Sequence, residues 1–406
     1  MPRFLSLILS AVLLLSLTAC QTEERVPPEP AVETVEPEPV PEPIPEPTPE
    51  ELAAEAVEAI LSDMTVEEKV GQLFFVRCPA ESAAEDVATY HLGGYILFSR
   101  DFKDAAGNWL TREQVEGNIG SYQTAALNDT GIPLLIGSDE EGGTVTRASR
   151  NPNLFDSKFK SPQAIAKNAS VEERIDLFMQ DAESRSEALL DLGINVNLAP
   201  VADVSTNPND FIYDRTLGQD AGATATFVAT TVNAMKDAGI GSVLKHFPGY
   251  GSNVDTHTGI AVDSRPYEQF VSEDFLPFSA GMEVGTDPLG RRTTSVLVSH
   301  NIITCMDAEL PASLSPEVHR VLREELAFDG VVMTDDLAME AVAAYAGDGA
   351  VAVMSLLAGN DLVLTSDYRT QIPKVLEAVE NGTLSMELID TACRRVLTWK
   401  QALGLI

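Results

Sequence analysis

Short apolar runs alternate with longer amphipathic stretches from about residue 55 to the end of the chain. The apolar runs are rich in β-branched and aromatic residues, which is typical of buried strands in a parallel sheet. Eight strands are predicted, at Leu73–Val76, Tyr95–Phe98, Leu134–Ser138, Ile194–Leu198, Ser242–Lys245, Val296–Ser299, Val331–Thr334 and Leu362–Leu364. Helices are predicted between them, at Arg112–Leu127, Glu172–Leu190, Ala221–Asp237, Pro316–Leu326 and Ala350–Leu357. This alternation predicts an α/β fold with a parallel sheet, and eight strands favour a single-domain (β/α)₈ barrel of the TIM type over a doubly wound sheet.

Polar residues follow most of the predicted strands. They are Asp139-Glu140-Glu141, Asn197 with Asp203, Lys245-His246, His300-Asn301 and Asp335-Asp336. Because the carboxyl ends of the strands of a parallel barrel converge on one mouth, these groups are expected to line a catalytic mouth. No Gly-x-Gly-x-x-Gly follows the first strand and no Walker-type loop occurs, so a dinucleotide or nucleoside triphosphate site is not expected.

The first 20 residues have the layout of an export signal. Arg3 precedes an apolar run from Phe4 to Ala19, which is shorter than the roughly 20 residues of a membrane-spanning helix. The run ends in Leu17-Thr18-Ala19-Cys20, which resembles a bacterial lipobox. We therefore expect a signal peptide at 1–19 and an exported protein whose Cys20 is lipidated and provides its membrane contact. An ordinary signal peptide followed by a chance cysteine is the alternative.

A Pro/Glu-rich segment follows, as in Pro37-Glu38-Pro39. Such a composition cannot bury enough apolar surface to fold, so residues 20–51 are predicted to be a disordered tether before a domain at 52–406. The tether is interpreted as a spacer that holds the domain away from the membrane, and an unstructured leader without that role is the alternative.

The chain as a whole carries 27 Lys+Arg and 62 Asp+Glu, for a formal charge of −35, and this acidity disfavours a nucleic-acid partner. Cys78, Cys305 and Cys393 form no disulfide framework or metal motif and are expected to be buried thiols.

Several segments occur in an order that characterises a known family. They are Met64–Phe74, Ser138-Asp139-Glu140-Glu141-Gly142-Gly143 with Arg147, Leu192–Asn195 with Ala199–Val204, Asp214–Gly218, Lys245-His246-Phe247-Pro248-Gly249-Tyr250-Gly251, Asp255-Thr256-His257 and Val332–Met339. From about Glu58 to Ile406 the chain resembles family-3 glycoside hydrolases, specifically their bacterial β-N-acetylglucosaminidase branch.

The resemblance implies an exo-acting, retaining hydrolase that releases terminal β-linked N-acetylglucosamine without a cofactor or metal. Asp335 matches the nucleophile, and His257 matches the acid/base with Asp255 as its partner. The matching sugar-binding residues are Asp139, Arg147, Arg215, Lys245 and His246. A histidine is chemically workable as acid/base, because its pKa near 6.5 lets it give and retake a proton around neutrality.

Structural roles remain open for some of these residues. Asp335 or, with more reason, Asp336 could cap a helix. His257 could be a surface loop residue, Lys245-His246 could be a structural ion pair, and Arg215 could pair with Asp214. Glu140 and Glu141 are adjacent and point to opposite faces of a strand, so they cannot form a facing pair, and Glu141 is interpreted as structural support.

Three other functions remain open beside β-N-acetylglucosaminide hydrolysis. Phosphorolysis of β-N-acetylglucosaminides would also suit a histidine acid/base, because neutral imidazole repels phosphate less than a carboxylate does. A non-catalytic glycan-binding lipoprotein and a metal-dependent hydrolase are the remaining alternatives, the latter disfavoured because His246 and His257 lack metal-site spacing. The barrel is expected to extend to the end of this sequence, without a second α/β domain. Family-3 β-glucosidases generally take their acid/base carboxylate from such a domain, so the resemblance disfavours a β-glucosidase. Export suggests peptidoglycan or muropeptide fragments as the substrate, with chitin oligomers as the alternative. The protein is expected to be a monomer. Tyr250 and Thr144 depart from the family pattern near the mouth, which leaves the leaving-group preference open.

Overall fold

The computed structural model describes residues 46–253, 259–343, Tyr345 and 350–406. By its contacts the chain divides into a unit of residues 1–46 and a compact unit of Pro47–Ile406, and the described residues other than Glu46 belong to the second. The predicted signal peptide, Cys20 and nearly all of the tether lie outside the described residues, as do Asp255 and His257. Within the described ranges, no helix has the length and apolar character needed to cross a bilayer.

Within the part of the chain that the structure describes, ten strands form two sheets. They are β1 (Phe74–Arg77), β2 (Gly94–Leu97), β3 (Leu135–Ser138), β4 (Val196–Asn197), β5 (Gly241–Phe247), β6 (Val262–Asp263), β7 (Thr294–Val298), β8 (Ile302–Ile303), β9 (Val332–Thr334) and β10 (Val363–Thr365). Eight of them form one parallel sheet in the order β10-β1-β2-β3-β4-β5-β7-β9. A parallel bridge between Met333 and Leu362 joins its two ends, so the sheet closes into the predicted (β/α)₈ barrel. The pair β6 and β8 forms a small separate sheet.

Fourteen α-helices occur in the described residues. They are α1 (Pro49–Asp63), α2 (Val66–Gln72), α3 (Ala83–Tyr90), α4 (Arg112–Asp129), α5 (Pro162–Ala166), α6 (Val171–Leu190), α7 (Ala221–Ala238), α8 (Tyr267–Gln269), α9 (Phe275–Val284), α10 (Pro316–Arg320), α11 (Glu340–Ala343), α12 (Val351–Ala358), α13 (Tyr368–Glu380) and α14 (Met386–Ala402). Capping boxes at Thr48, Thr65, Thr111 and Ser170 set the starts of α1, α2, α4 and α6. Because Thr48 caps α1, helical structure begins three residues before the predicted start of the domain at residue 52.

The barrel interior is filled by side chains from alternate strands. Phe75 of β1 is fully buried, and its ring lies against Gly137 of β3, where an added Cβ would come within 2.4 Å of the Phe75 Cζ. Glycine at this strand position therefore leaves the space that the ring occupies. Cys78 and Cys393 are buried as expected, whereas Cys305 is exposed, so the expectation of a buried thiol is wrong there. Cys305 lies in the loop after β8 rather than on a core strand.

Candidate active site

A cavity of about 510 Å³ opens at the carboxyl ends of the barrel strands, a volume typical of small-molecule sites. It brings together six residues that the sequence predicted for catalysis or sugar binding: Asp139, Arg147, Arg215, Lys245, His246 and Asp335. They come from the ends of β3, β5 and β9 and from the loops that follow β3 and β4. The barrel topology therefore assembles groups that are nearly 200 positions apart in the chain.

Lys245 links two carboxylates on the cavity wall. Its Nζ lies 2.7 Å from Oδ1 of Asp139 and 2.6 Å from Oε1 of Glu141, and Lys245 is almost completely buried. Arg147 Nη2 reaches the other oxygen of Asp139 at 3.2 Å. Burial alone would raise the pKa of the Asp139 carboxyl, but the charges of Lys245 and Arg147 outweigh it and lower the pKa. Asp139 is therefore ionised and available to accept hydrogen bonds from hydroxyl groups.

Arg215 makes the second strong ion pair of the cavity. Its Nε and Nη2 donate to the two oxygens of Glu141 at 2.9 and 2.7 Å. Although burial opposes ionisation, Arg215 and Lys245 hold the pKa of Glu141 well below its usual range. The alternative in which Arg215 pairs with Asp214 is wrong, because the guanidinium turns towards Glu141. Glu141 is thus more than a support for the fold, since its carboxylate lies in the cavity wall.

The tautomer of His246 follows from its neighbours. Arg215 Nη2 lies 3.0 Å from His246 Nε2, and a guanidinium can only donate, so Nε2 accepts. The ring proton is then on Nδ1, which donates to Oδ2 of Asp203 at 2.7 Å. Asp203 Oδ1 also accepts from the backbone N–H of Tyr250 at 2.7 Å. Asp203 therefore fixes both the histidine ring and the turn that follows it.

Asp335 follows β9 directly and is half-buried in the cavity. Its backbone N–H donates to the carbonyl of Val298, and its Oδ1 accepts the backbone N–H of Asp336 at 2.8 Å. Burial would raise the pKa of Asp335, but His300, the Asp336 amide and Lys245 lower it. The carboxylate is therefore ionised at neutral pH, as a nucleophile requires.

The neighbouring acids have structural roles. Asp336 Oδ1 accepts the backbone N–H groups of Ala338 and Ser366 at 3.0 and 3.2 Å. It thus holds a turn four residues before α11 rather than capping that helix. Glu140 is fully buried and accepts from the backbone of Arg147 and from Ser149, which confirms that it does not face Glu141.

Several residues that line the cavity were not predicted as catalytic or sugar-binding, among them Arg77, Phe211 and Tyr250. Arg77 at the end of β1 places its Cζ 4.5 Å from the centre of the Phe98 ring. Its Nε is buried and makes no hydrogen bond with any of the described residues. The sequence offered one signal for Arg77, because this charged residue directly follows the apolar run Leu73–Val76 of a predicted strand. Phe211 and Tyr250 also line the cavity. The family resemblance already placed Tyr250 near the mouth, whereas only tertiary packing shows the position of Phe211.

The predicted acid/base pair, Asp255 and His257, lies outside the described residues and stays a prediction. Asn253 is the last described residue before this segment, and the description resumes at Gly259. The side-chain amide of Asn253 donates to the carbonyl of Tyr250 at 2.8 Å and to Asp263 at 2.9 Å. Among the residues that the structure describes, no group of three or more His, Cys, Asp or Glu side chains is arranged to hold a metal ion.

Residues 65–399 match the glycosyl hydrolase family 3 N-terminal domain. Beta-hexosaminidase LpqI of Mycobacterium tuberculosis is 31% identical over 346 residues, which cover 82% of either protein. The solved structure of that LpqI superimposes with a TM-score of 0.72 at 27% identity, over 85% of this chain and 96% of the other. A family 3 β-N-acetylglucosaminidase from Paenibacillus sp. FPU-7 gives a TM-score of 0.74 at 30% identity over 84% of this chain. The chain covers only 63% of that longer Paenibacillus protein.

Proposed function

The chain belongs to glycosyl hydrolase family 3, and from this premise we propose that it is a β-N-acetylhexosaminidase releasing terminal β-linked N-acetylglucosamine. The observation that carries the proposal is the position of Asp335, an ionised carboxylate in the same cavity as Asp139, Lys245 and Arg215. The Asp335 carboxylate can attack the anomeric carbon of a sugar while the other three side chains bind the hydroxyl groups of that sugar. The similar proteins with hexosaminidase names support the choice of sugar.

Sugar binding is assigned to the charged network on the wall. Asp139 accepts hydrogen bonds from hydroxyl groups, and Arg147 and Lys245 donate to hydroxyl oxygens from either side of it. Charged partners make such bonds about twice as strong as neutral ones. Because these side chains already hold each other in place, little conformational entropy is lost when the sugar binds.

The reaction is a double displacement at Asp335. In the first step an Asp335 oxygen bonds to the anomeric carbon, the bond from that carbon to the leaving oxygen breaks, and the leaving oxygen takes a proton from His257. In the second step water attacks the anomeric carbon, gives a proton to His257 and releases Asp335. The product keeps the β configuration.

A histidine proton donor is consistent with the state of the two carboxylates that Lys245 contacts on the cavity wall, Asp139 and Glu141. Asp139 and Glu141 are held ionised by Lys245 and by arginines, so neither carries a proton to give near neutral pH. His257 with Asp255 is the pair that the family resemblance supplies. The carboxylate of Asp255 would stabilise the charged imidazole that forms when His257 acts as a base.

The substrate and the location are proposed together. Lipidation at Cys20 would fix the protein to a membrane on its exported side. An extended Pro/Glu tether of thirty residues would reach on the order of 90 Å from it. Peptidoglycan or muropeptide fragments would be within reach there, and the anchor would be the membrane contact of a monomeric enzyme.

The test compares wild type with Asp335→Ala on an aryl β-N-acetylglucosaminide and on the matching β-glucoside. Asp237→Asn is the control, because this exposed aspartate lies near the end of α7, away from the mouth. We expect the wild type and the control to prefer the N-acetylglucosaminide and Asp335→Ala to lose at least about a thousandfold in kcat. Equal rates for wild type and Asp335→Ala would refute the mechanism, and preference for the glucoside would refute the substrate. Release of N-acetylglucosamine 1-phosphate in phosphate buffer would identify a phosphorylase instead.

A further inference from the structure

Phe211 presents an aromatic ring at the cavity although most large aromatic side chains of the barrel are buried. It is 42% exposed and lines the same cavity as Asp335 and Arg215. Single exposed apolar residues are common on protein surfaces and need no explanation by themselves. The exposed ring of Phe211, however, lies in the wall of a cavity large enough for a sugar, and this position indicates a role in binding.

The backbone around Phe211 is held firmly, so the exposure of the ring is built into the loop. The carboxylate of the preceding Asp210 accepts from Ser205 Oγ and from Asn207 Nδ2, both at 2.8 Å. The following residue, Ile212, is fully buried. These two anchors fix the backbone on either side of Phe211, and the ring of Phe211 lies 42% exposed at the solvent edge of the cavity.

A continuous row of side chains connects the buried charges to this ring. Arg215 contacts His246, the His246 ring packs edge-on against Tyr250 at 5.7 Å, and the centre of the Tyr250 ring lies 5.8 Å from that of Phe211. Tyr250 is buried and Phe211 is exposed, so the row runs from the charged part of the cavity to its solvent edge. Along this row the side chains of the cavity wall change from charged to aromatic.

We propose that Phe211, backed by Tyr250, binds the pyranose ring of the leaving group, so that this site takes glycans whose terminal sugar is linked to a second sugar. The inference rests on the proposed function. The charged groups bind the terminal sugar through its hydroxyls, whereas an exposed aromatic face offers apolar contact to the C–H face of the next ring. An exo-acting enzyme holds the terminal sugar beside Asp335, and the remainder of the glycan leaves through the solvent edge where Phe211 stands.

The test uses two substrates that share the terminal sugar. N,N′-diacetylchitobiose has a pyranose leaving group, and β-N-acetylglucosaminyl fluoride has a leaving group without a ring. We expect Phe211→Ala to lower the ratio of kcat/KM for chitobiose to that for the fluoride about fivefold, as loss of one aromatic contact predicts. Phe211→Trp should keep the ratio within about twofold, because it preserves the flat face.

Leu276→Ala is the matched control. Leu276 is 44% exposed on α9 and is not among the residues of the cavity wall, so its removal deletes a similar exposed apolar side chain elsewhere. An unchanged ratio in Phe211→Ala would overturn the inference. An equal fall on both substrates would also overturn it, because Phe211 would then merely maintain the cavity. With a peptide-bearing muropeptide as a third substrate, a loss confined to the muropeptide would overturn the inference and assign Phe211 to peptide contact instead. A wild type inactive on both substrates would refute the proposed function itself.

Discussion

Arg215 and Glu141 form a bidentate ion pair although 74 positions separate them in the chain. The side chains are 16% and 2% exposed, so the pair is largely removed from water. Lys245 approaches the same carboxylate at 2.6 Å. Glu141 is therefore the common counter-charge of two buried cations. Its removal leaves Lys245 with Asp139 alone and takes from Arg215 the one carboxylate that it pairs with among the described residues.

Replacement of this counter-charge should destabilise the fold. We expect Glu141→Gln to lower the free energy of unfolding by about 3 kcal/mol, the usual cost of breaking a buried pair from one side. Urea denaturation measures the change. Glu283→Gln, at an exposed position on α9, should change it by less than about 0.5 kcal/mol. Similar small effects of the two substitutions would show that the Glu141 charge does not matter for stability.

The pH dependence of catalysis should respond to Lys245. Its positive charge contributes to the lowered pKa of Asp335, so removing that charge raises this pKa. The acid limb of kcat/KM, which reports the free enzyme, should therefore move to higher pH in Lys245→Met. A rate profile between about pH 3 and pH 8 measures it. Lys236→Met on α7 serves as control, and an acid limb at the same pH in both variants would contradict the assignment.

Arg77 is expected to bind substrate through the guanidinium that stacks on Phe98. Since its Nε has no hydrogen-bond partner among the described residues, its removal should cost little stability. We expect Arg77→Met to raise KM about fivefold with kcat nearly unchanged, as for a contact made equally in ground and transition states. Arg112→Met on the exposed face of α4 is the control. Unchanged KM with a lower melting temperature would assign Arg77 to packing alone.

Lys400 gives a pH dependence of stability that is independent of the active site. It is completely buried, its Nζ donates to Gln72 Oε1 at 2.7 Å, and burial lowers its pKa from 10.5 to about 7. Between these pKa values the unfolded chain binds more protons than the folded protein, so wild-type stability rises with pH across this interval. Lys400→Met should thus be more stable than wild type at and below about pH 7, with the advantage shrinking towards pH 10.

Melting temperatures of both proteins across this pH range measure the difference. Lys374→Met, an exposed lysine on α13, provides the control. A Lys400→Met variant whose stability runs parallel to that of wild type at all pH values would show that Lys400 does not titrate in this way.

The barrel and the strand-end positions of Asp139, Lys245-His246 and Asp335 were predictable because both depend on local pattern. The sugar-binding assignment of Arg147 and Arg215 came from the family resemblance alone. Each buried strand of the barrel is a short apolar run, and parallel strands carry the residues at their ends to one mouth. The partner of Arg215 was not predictable, because Asp214 is adjacent in sequence while Glu141 is adjacent only in space. The exposure of Phe211 depends on side-chain contacts of Asp210 within an irregular loop, for which no periodicity exists.

Trapping the intermediate tests the role of Asp335 most directly. Wild type is incubated with 5-fluoro-β-N-acetylglucosaminyl fluoride, which slows both steps by destabilising positive charge at the sugar, and is then digested for mass spectrometry. We predict one 5-fluoro-N-acetylglucosaminyl adduct, on the peptide that contains Asp335, and no adduct in Asp335→Asn. An adduct on another residue, or inactivation without any covalent sugar, would contradict the assignment of Asp335 as the nucleophile.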